Sequence, residues 1–240
     1  MRAGDPGNSP GFRRRFRITP RPGRVVSEVE DDYHRMRVGI EHDGVVATAV
    51  TAELLRAPWT TCPGAAAKCE ATFAGMALQA FPARREKAAN CTHLYDLALL
   101  AAAHALDGAP LVYDIAVSDP VDGRREAQIA RNGEVVLAWS DGESRILAPA
   151  ELAGLSIFDL RPWIASQPEE RQEAARLLSW GSVIAHGRTI PMDRQSDASR
   201  MPPSCYTFQP ERALQAKRVG EVKDFSAGGE QPLDELEQVR

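Results

Sequence analysis

This chain has no phosphate cradle of either standard glycine-rich type: neither GxxxxGK[ST] nor GxGxxG occurs. GxSxG, HExxH and CxxC are missing too, which removes the usual entry points for nucleophile-elbow hydrolases, zinc proteases and thioredoxin-like redox proteins. Four cysteines in 240 residues are too few for a disulfide framework, and a reducing compartment would keep them as thiols. The Asn90-Cys91-Thr92 match to a glycosylation signal then carries no meaning. No apolar run approaches the roughly 18 residues of a membrane span, and MRAGDPGNSPGFRRRF lacks the apolar core and cleavage site of a secretory signal. A cytoplasmic protein without a membrane partner is expected. An excess of one charge is also absent. The 29 basic and 33 acidic side chains leave a formal net charge of −4, no field for drawing in nucleic acid.

What remains is an ordinary globular composition, 43% hydrophobic and 26% charged, in which the positions of rare residues must carry the functional argument. Residues 1–11 are rich in Gly, Pro, Asp and Ser, and residues 220–240 in Glu, Asp, Gln and Gly, so both read as mobile arms outside the core. Residues 12–219 read as one domain. The arginines between Phe12 and Arg24 are followed by Glu28, Glu30, Asp31 and Asp32, which suggests a solvated, mutually screened face.

From Val25 to Val50 apolar residues alternate with polar ones, turning at His42-Asp43-Gly44: an antiparallel meander. Ala65 to Leu78 has helical spacing, with Thr61 or Cys62 as cap and Pro63 in the first helical position. A second helix is expected from Thr92 to Leu106. Strands resume at Leu111–Val117 and in a hairpin around Asn132-Gly133, and a third helix opens at Pro168-Glu169-Glu170 and stops at Gly187. The implied fold is α+β: an antiparallel sheet formed by two groups of strands, packed with three main helices.

Cysteine and histidine are sparse, yet Cys62 falls at one expected helix start, and Cys91 with His93 at another. Free N–H groups and the positive dipole end there would lower a thiol pKa and hold a developing oxyanion. His93 and Asp96 are three positions apart, so the carboxylate can orient the imidazole. His104, about 16 Å further along the same helix, is expected in the core. Cys69, roughly 10 Å from Cys62 if the chain is helical, reads as packing. His34 shares a strand face with Met36, Val38 and Ile40, giving a buried imidazole beside carboxylates. His42 belongs to a turn and His186 to a helix end, where a cation suits the dipole. The plain alternative for Cys62, Cys91 and His93 is that they cap and pack two helices.

The strings RRRFRITPRPGR, EDDYHRMRV, APWTTCPGA, NCTHLYDLA and SCYTFQPERA together resemble a bacterial family known only as a domain of unknown function, over roughly Phe12 to Val219. The resemblance implies a place in aromatic-compound breakdown. It further implies similarity to a phenylcoumaran-type lyase that removes a hydroxymethyl group as formaldehyde from lignin-derived phenylpropanoid dimers.

The expected function is therefore a cofactor-independent carbon–carbon lyase for a small aromatic substrate. His93, oriented by Asp96, exchanges protons, with Tyr95, His34 and Cys62 as further catalytic candidates. Trp59, Thr61, Cys91, Thr92 and Tyr206 are the expected substrate-binding residues; no cofactor or metal is expected, and homo-oligomers remain open. The rival reading is a metal or iron–sulfur carrier using Cys62, Cys91 and His93. A third is a ligand-binding module with the same pocket and no turnover.

Overall fold

The arginine-rich segment forms a strand. Gly11–Arg21 is β1, and within it Phe12, Arg14, Phe16 and Ile18 share one face at 0–2% exposure while the intervening arginines take the other. The period of two sorts these side chains despite the charge, and Arg14 is buried with its guanidinium 5.3 Å from the Phe12 ring. The solvated face expected here is thus replaced by a core strand.

The computed structural model describes residues 6–191, 194 and 196–234. Seven further strands follow: β2 (Arg24–Asp31), β3 (Arg35–His42), β4 (Ala47–Arg56), β5 (Leu111–Ser118), β6 (Arg124–Arg131), β7 (Glu134–Gly142) and β8 (Arg145–Ala148). They make an antiparallel sheet in the order β4-β3-β2-β1-β5-β6-β7-β8. Among the described residues the helices of nine residues or more are α1 (Ala65–Phe73), α2 (Thr92–Ala103) and, after the short α3 (Arg161–Ser166), α4 (Glu169–Ala185). A four-residue α5 (Pro210–Ala213) comes late. The α+β architecture expected from the two strand groups is the one found. No described helix is long and apolar enough to cross a membrane.

The chain divides into two compact units, and β1 contributes to both. Unit 1 comprises the described residues of Met1–Arg15, Val112–Pro191 and Asp224–Arg240; unit 2 those of Phe16–Leu111 and Met192–Lys223. Of the two expected arms, residues 1–5 and 235–240 lie outside the described residues. In the described remainder Pro6, Phe225 and Leu233 are buried, and Gly11 N–H donates to Ser226 Oγ at 3.0 Å. Isolated apolar residues in a polar segment supply these anchors.

In unit 1, α4 covers β6 and β7. The β6–β7 hairpin turns at Asn132 and Gly133, both with positive φ (49° and 86°), the conformation of the tightest hairpin loops. His186 accepts from Arg125 Nη2 at 2.6 Å, and Arg125 is itself paired with buried Asp141. Desolvation and that guanidinium push the His186 pKa down, so its role is a neutral acceptor and not the dipole-matched cation expected.

In unit 2, α2 lies against β2 and β3. The register pairs Val25 with Ile40, Ser27 with Val38 and Val29 with Met36, so these side chains form one floor beneath α2. The opposite face carries charge: Arg37 holds Glu28 at 2.8 Å and Arg56 holds Glu30 at 3.2 Å, all four largely covered. His104 ends α2 incompletely buried, bonded to Asp107 at 2.7 Å, because the helix stops at Ala103 before reaching core. His42, at the end of β3, accepts from Gly44 N–H at 3.2 Å, the turn role expected of it.

Candidate acid–base site

The floor under α2 ends in a polar rung. Beyond Val29 and Met36 the chain reverses through Asp32 and Tyr33, and Asp31 N–H donates to the His34 carbonyl at 2.8 Å. Asp31 Oδ1 accepts the backbone N–H groups of Tyr33 (2.7 Å) and His34 (2.8 Å), which fixes the turn from a fully buried position. The same oxygen meets His34 Nδ1 at 3.0 Å. A carboxylate only accepts, so the contact is an Nδ1–H donating to Asp31.

His93, in the first turn of α2, stacks on this ring: the centroids are 3.9 Å apart and the planes tilt by 30°. Asp31, His34 and His93 each offer a ligand atom within 4.8 Å of the others, and all three are buried. The predicted buried imidazole with a carboxylate beside it is therefore present at His34, and His93 joins it. Each histidine keeps 7% of its surface exposed, covered but not sealed.

The partner expected for His93 goes elsewhere. Asp96 engages Lys87 Nζ with both oxygens at 2.7 Å, because the 3-10 turn at Lys87–Ala89 brings an ammonium to that side of α2. The carboxylate brought to His93 is that of Asp31. Tyr95 also leaves the site: two positions along a helix rotate a side chain by roughly 200°. Its ring packs 5.1 Å from Phe73 of α1.

Cys62 opens a three-residue 3-10 turn, Cys62–Gly64, before α1 begins at Ala65. Such a turn has little dipole to offer, and Thr61 makes no side-chain cap bond there. Instead Thr61 Oγ1 reaches Thr207 Oγ1 at 3.2 Å, and Cys62 Sγ lies 3.4 Å from the same oxygen. Cys91 caps α2 without a side-chain cap bond, and its Sγ contacts Met36 Sδ at 3.9 Å. Thr92, the first residue of α2, is buried. Burial pushes the Cys62 and Cys91 thiols up, outweighing the backbone hydrogen bonds that would lower them. The activated thiolate expected at these starts is reversed to a neutral thiol.

Thr207 Oγ1 lies 3.4 Å from Cys62 Sγ and Tyr206 N–H bonds the Asn90 carbonyl, so the segments around residues 62, 91 and 205 converge. The thiols stay outside the ligand-forming group, which among the described residues contains no cysteine. Tyr206 donates its N–H to the Asn90 carbonyl at 2.8 Å, and its ring sits beside Gly64, where a Cβ would lie 2.7 Å from the phenol oxygen. Arg212 stacks on that ring at 3.9 Å. The late segment thus closes over the Cys62 turn.

Trp59 is 5% exposed, edge-on to Phe208 with centroids 5.8 Å apart. The Arg218 guanidinium lies 5.4 Å from the Trp59 centroid and 5.6 Å from that of Tyr33. Tyr33 in turn is edge-on to His34, centroids 6.2 Å apart. Sequence reasoning missed Asp31, Tyr33, Thr207 and Arg218 as site residues. Asp31 had a readable signal, an Asp three residues before a His at a strand reversal; Arg218 is one arginine in a polar segment and had none.

A comparison with protein-family models finds no match, and a comparison with curated proteins finds none either.

Proposed function

We propose that Asp31, His34 and His93 form the acid–base centre of a lyase acting on a small aromatic molecule. The observation that carries this reading is the Asp31–His34 hydrogen bond at 3.0 Å beneath a second imidazole 3.9 Å away. Asp31 holds the His34 ring through Nδ1, while stacked His93 offers a second site for the proton. The buried aromatics Tyr33 and Trp59 suit a planar substrate.

In the formaldehyde-releasing reaction the dimer's benzylic C–O bond first opens as its phenol loses a proton, the departing aryl oxide taking that proton, to give a quinone methide. His34 Nε2 then takes the proton of a primary hydroxyl. The carbon–carbon bond to that hydroxymethyl group breaks, and its electron pair flows into a phenol-derived quinone methide, restoring the aromatic ring as a phenolate. Formaldehyde leaves, the imidazolium returns the proton to the phenolate, and the reaction is redox-neutral.

The test is incubation with lignin-derived phenylpropanoid dimers, following formaldehyde and a stilbene chromophore. His34→Gln should keep the fold and lower turnover by roughly 100-fold or more, the scale of a lost general acid–base. Wild-type rates in that variant would reject the assignment.

A second reading, a divalent metal held by Asp31, His34 and His93, draws on the 4.8 Å grouping. Imidazole lone pairs lie in the ring plane, so rings tilted by only 30° present their nitrogens side by side more than toward one point. Asp31 Oδ1 is moreover already engaged by three donors. Stoichiometric zinc or iron in purified protein, lost in His93→Ala, would favour the metal.

A further inference from the structure

Several arginines of unit 2 are answered by carboxylates: Arg37 by Glu28, Arg56 by Glu30 and Arg24 by Glu41. Arg218 has none among the described residues, although desolvation already lowers its pKa and so weighs against its charge. A backbone bridge sets it opposite Trp59, reinforced by Thr60 N–H to Lys217 O and Val219 N–H to Pro58 O, both at 3.0 Å. The two rings it lies against, Trp59 and Tyr33, are 5% and 6% exposed. The two rings lie against this partly exposed guanidinium, and its N–H donors make no hydrogen bond among the described residues.

We infer that Arg218, set against the rings of Tyr33 and Trp59, is the docking point for an anionic group, carboxylate or phenolate, on an aromatic ligand. The anion supplies the missing counter-charge, its in-plane oxygens meet the N–H fork, and its ring lies along the aromatic walls. Tyr33 is the shared neighbour: its ring centroid lies 5.6 Å from the Arg218 guanidinium and 6.2 Å from that of His34. A ligand anchored at Arg218 therefore places its far end toward the imidazole pair. The choice of an aromatic body rests on the acid–base reading above; the anion preference rests on Arg218 alone.

Titration calorimetry on the full chain tests this with cinnamate against neutral cinnamide, and with 4-nitrophenolate at pH 8.5 as the phenolate arm. Cinnamate or 4-nitrophenolate should bind roughly ten- to a hundredfold more tightly than cinnamide, the scale of a charge-assisted hydrogen bond. The arm showing the preference identifies the anion. In Arg218→Met the advantage should vanish while cinnamide binding stays within about threefold. Equal affinity of cinnamide and both anions for the wild type, or an advantage retained in Arg218→Met, overturns the inference, and the wild-type comparison decides even if that variant fails to fold. His34→Gln should keep the anion preference. If Arg218-dependent binding is found but no dimer is turned over, the acid–base reading fails and the anion site stands.

Discussion

Replacing Asp31 by alanine removes the acceptor of three hydrogen bonds at once, those from Tyr33 N–H, His34 N–H and His34 Nδ1–H. The carboxylate is fully buried, so water does not take its place. Two orphaned backbone donors at about 1–3 kcal/mol each predict a loss of about 2–6 kcal/mol. Asp31→Asn keeps an oxygen for both backbone donors and should lose only about 1–2 kcal/mol. At a urea dependence of about 3 kcal/mol per molar, a 3 kcal/mol loss lowers the midpoint by about 1 M. Amide exchange at Tyr33 and His34 reports the turn itself: protection should collapse in Asp31→Ala and persist in Asp31→Asn. The activity runs the other way. Asp31→Asn replaces Oδ2, 3.3 Å from Nδ1, by an NH₂ and removes the negative charge beside the ring, so it should cut turnover by about 10²- to 10⁴-fold while remaining folded. Equal midpoints for the two variants, or protected amides in Asp31→Ala, would refute the argument.

Asp96→Asn breaks only the pair with half-exposed Lys87, so urea midpoints should report a loss below about 1 kcal/mol, and turnover should stay within about threefold; a loss beyond 100-fold would restore Asp96 as the partner of His93. Burial pushes Cys69 up to about 12 from an unfolded value near 9. Its stabilising contribution is thus fully present below about pH 9 and is lost as pH rises through the folded value. Urea midpoints should fall between pH 8.5 and 11, less steeply in Cys69→Ala. Cys62, raised in the same way, should react slowly with iodoacetamide at pH 7 compared with a free thiol, as measured by mass spectrometry. A Cβ at Gly181 would lie 3.0 Å from Ile115 Cγ2, so Gly181→Leu should lower the thermal midpoint by the equivalent of about 1–3 kcal/mol. Gly108→Ala, whose Cβ meets nothing within 4 Å, should stay within about 0.5 kcal/mol.

The local elements were written in the sequence. Alternation from Val25 to Val50, Asn132-Gly133 and the apolar run after Thr92 specify strands, a tight hairpin and a buried helix through backbone geometry and short-range burial alone. His34 was legible too, since a period of two puts it on the face of Met36 and Val38. The strand Gly11–Arg21 was masked by its arginines, whose aliphatic stems and stacked guanidinium groups make burial tolerable only once neighbours are in place. Which carboxylate serves which histidine was a tertiary decision. Asp96 stands at ideal helical spacing from His93, yet the turn at Lys87–Ala89 draws it toward an ammonium, while packing of α2 on β2 and β3 carries His93 to Asp31, sixty-two positions away in the chain. Sequence spacing sets what can meet along one element; contacts between elements depend on how their buried faces pack, and there the site was made.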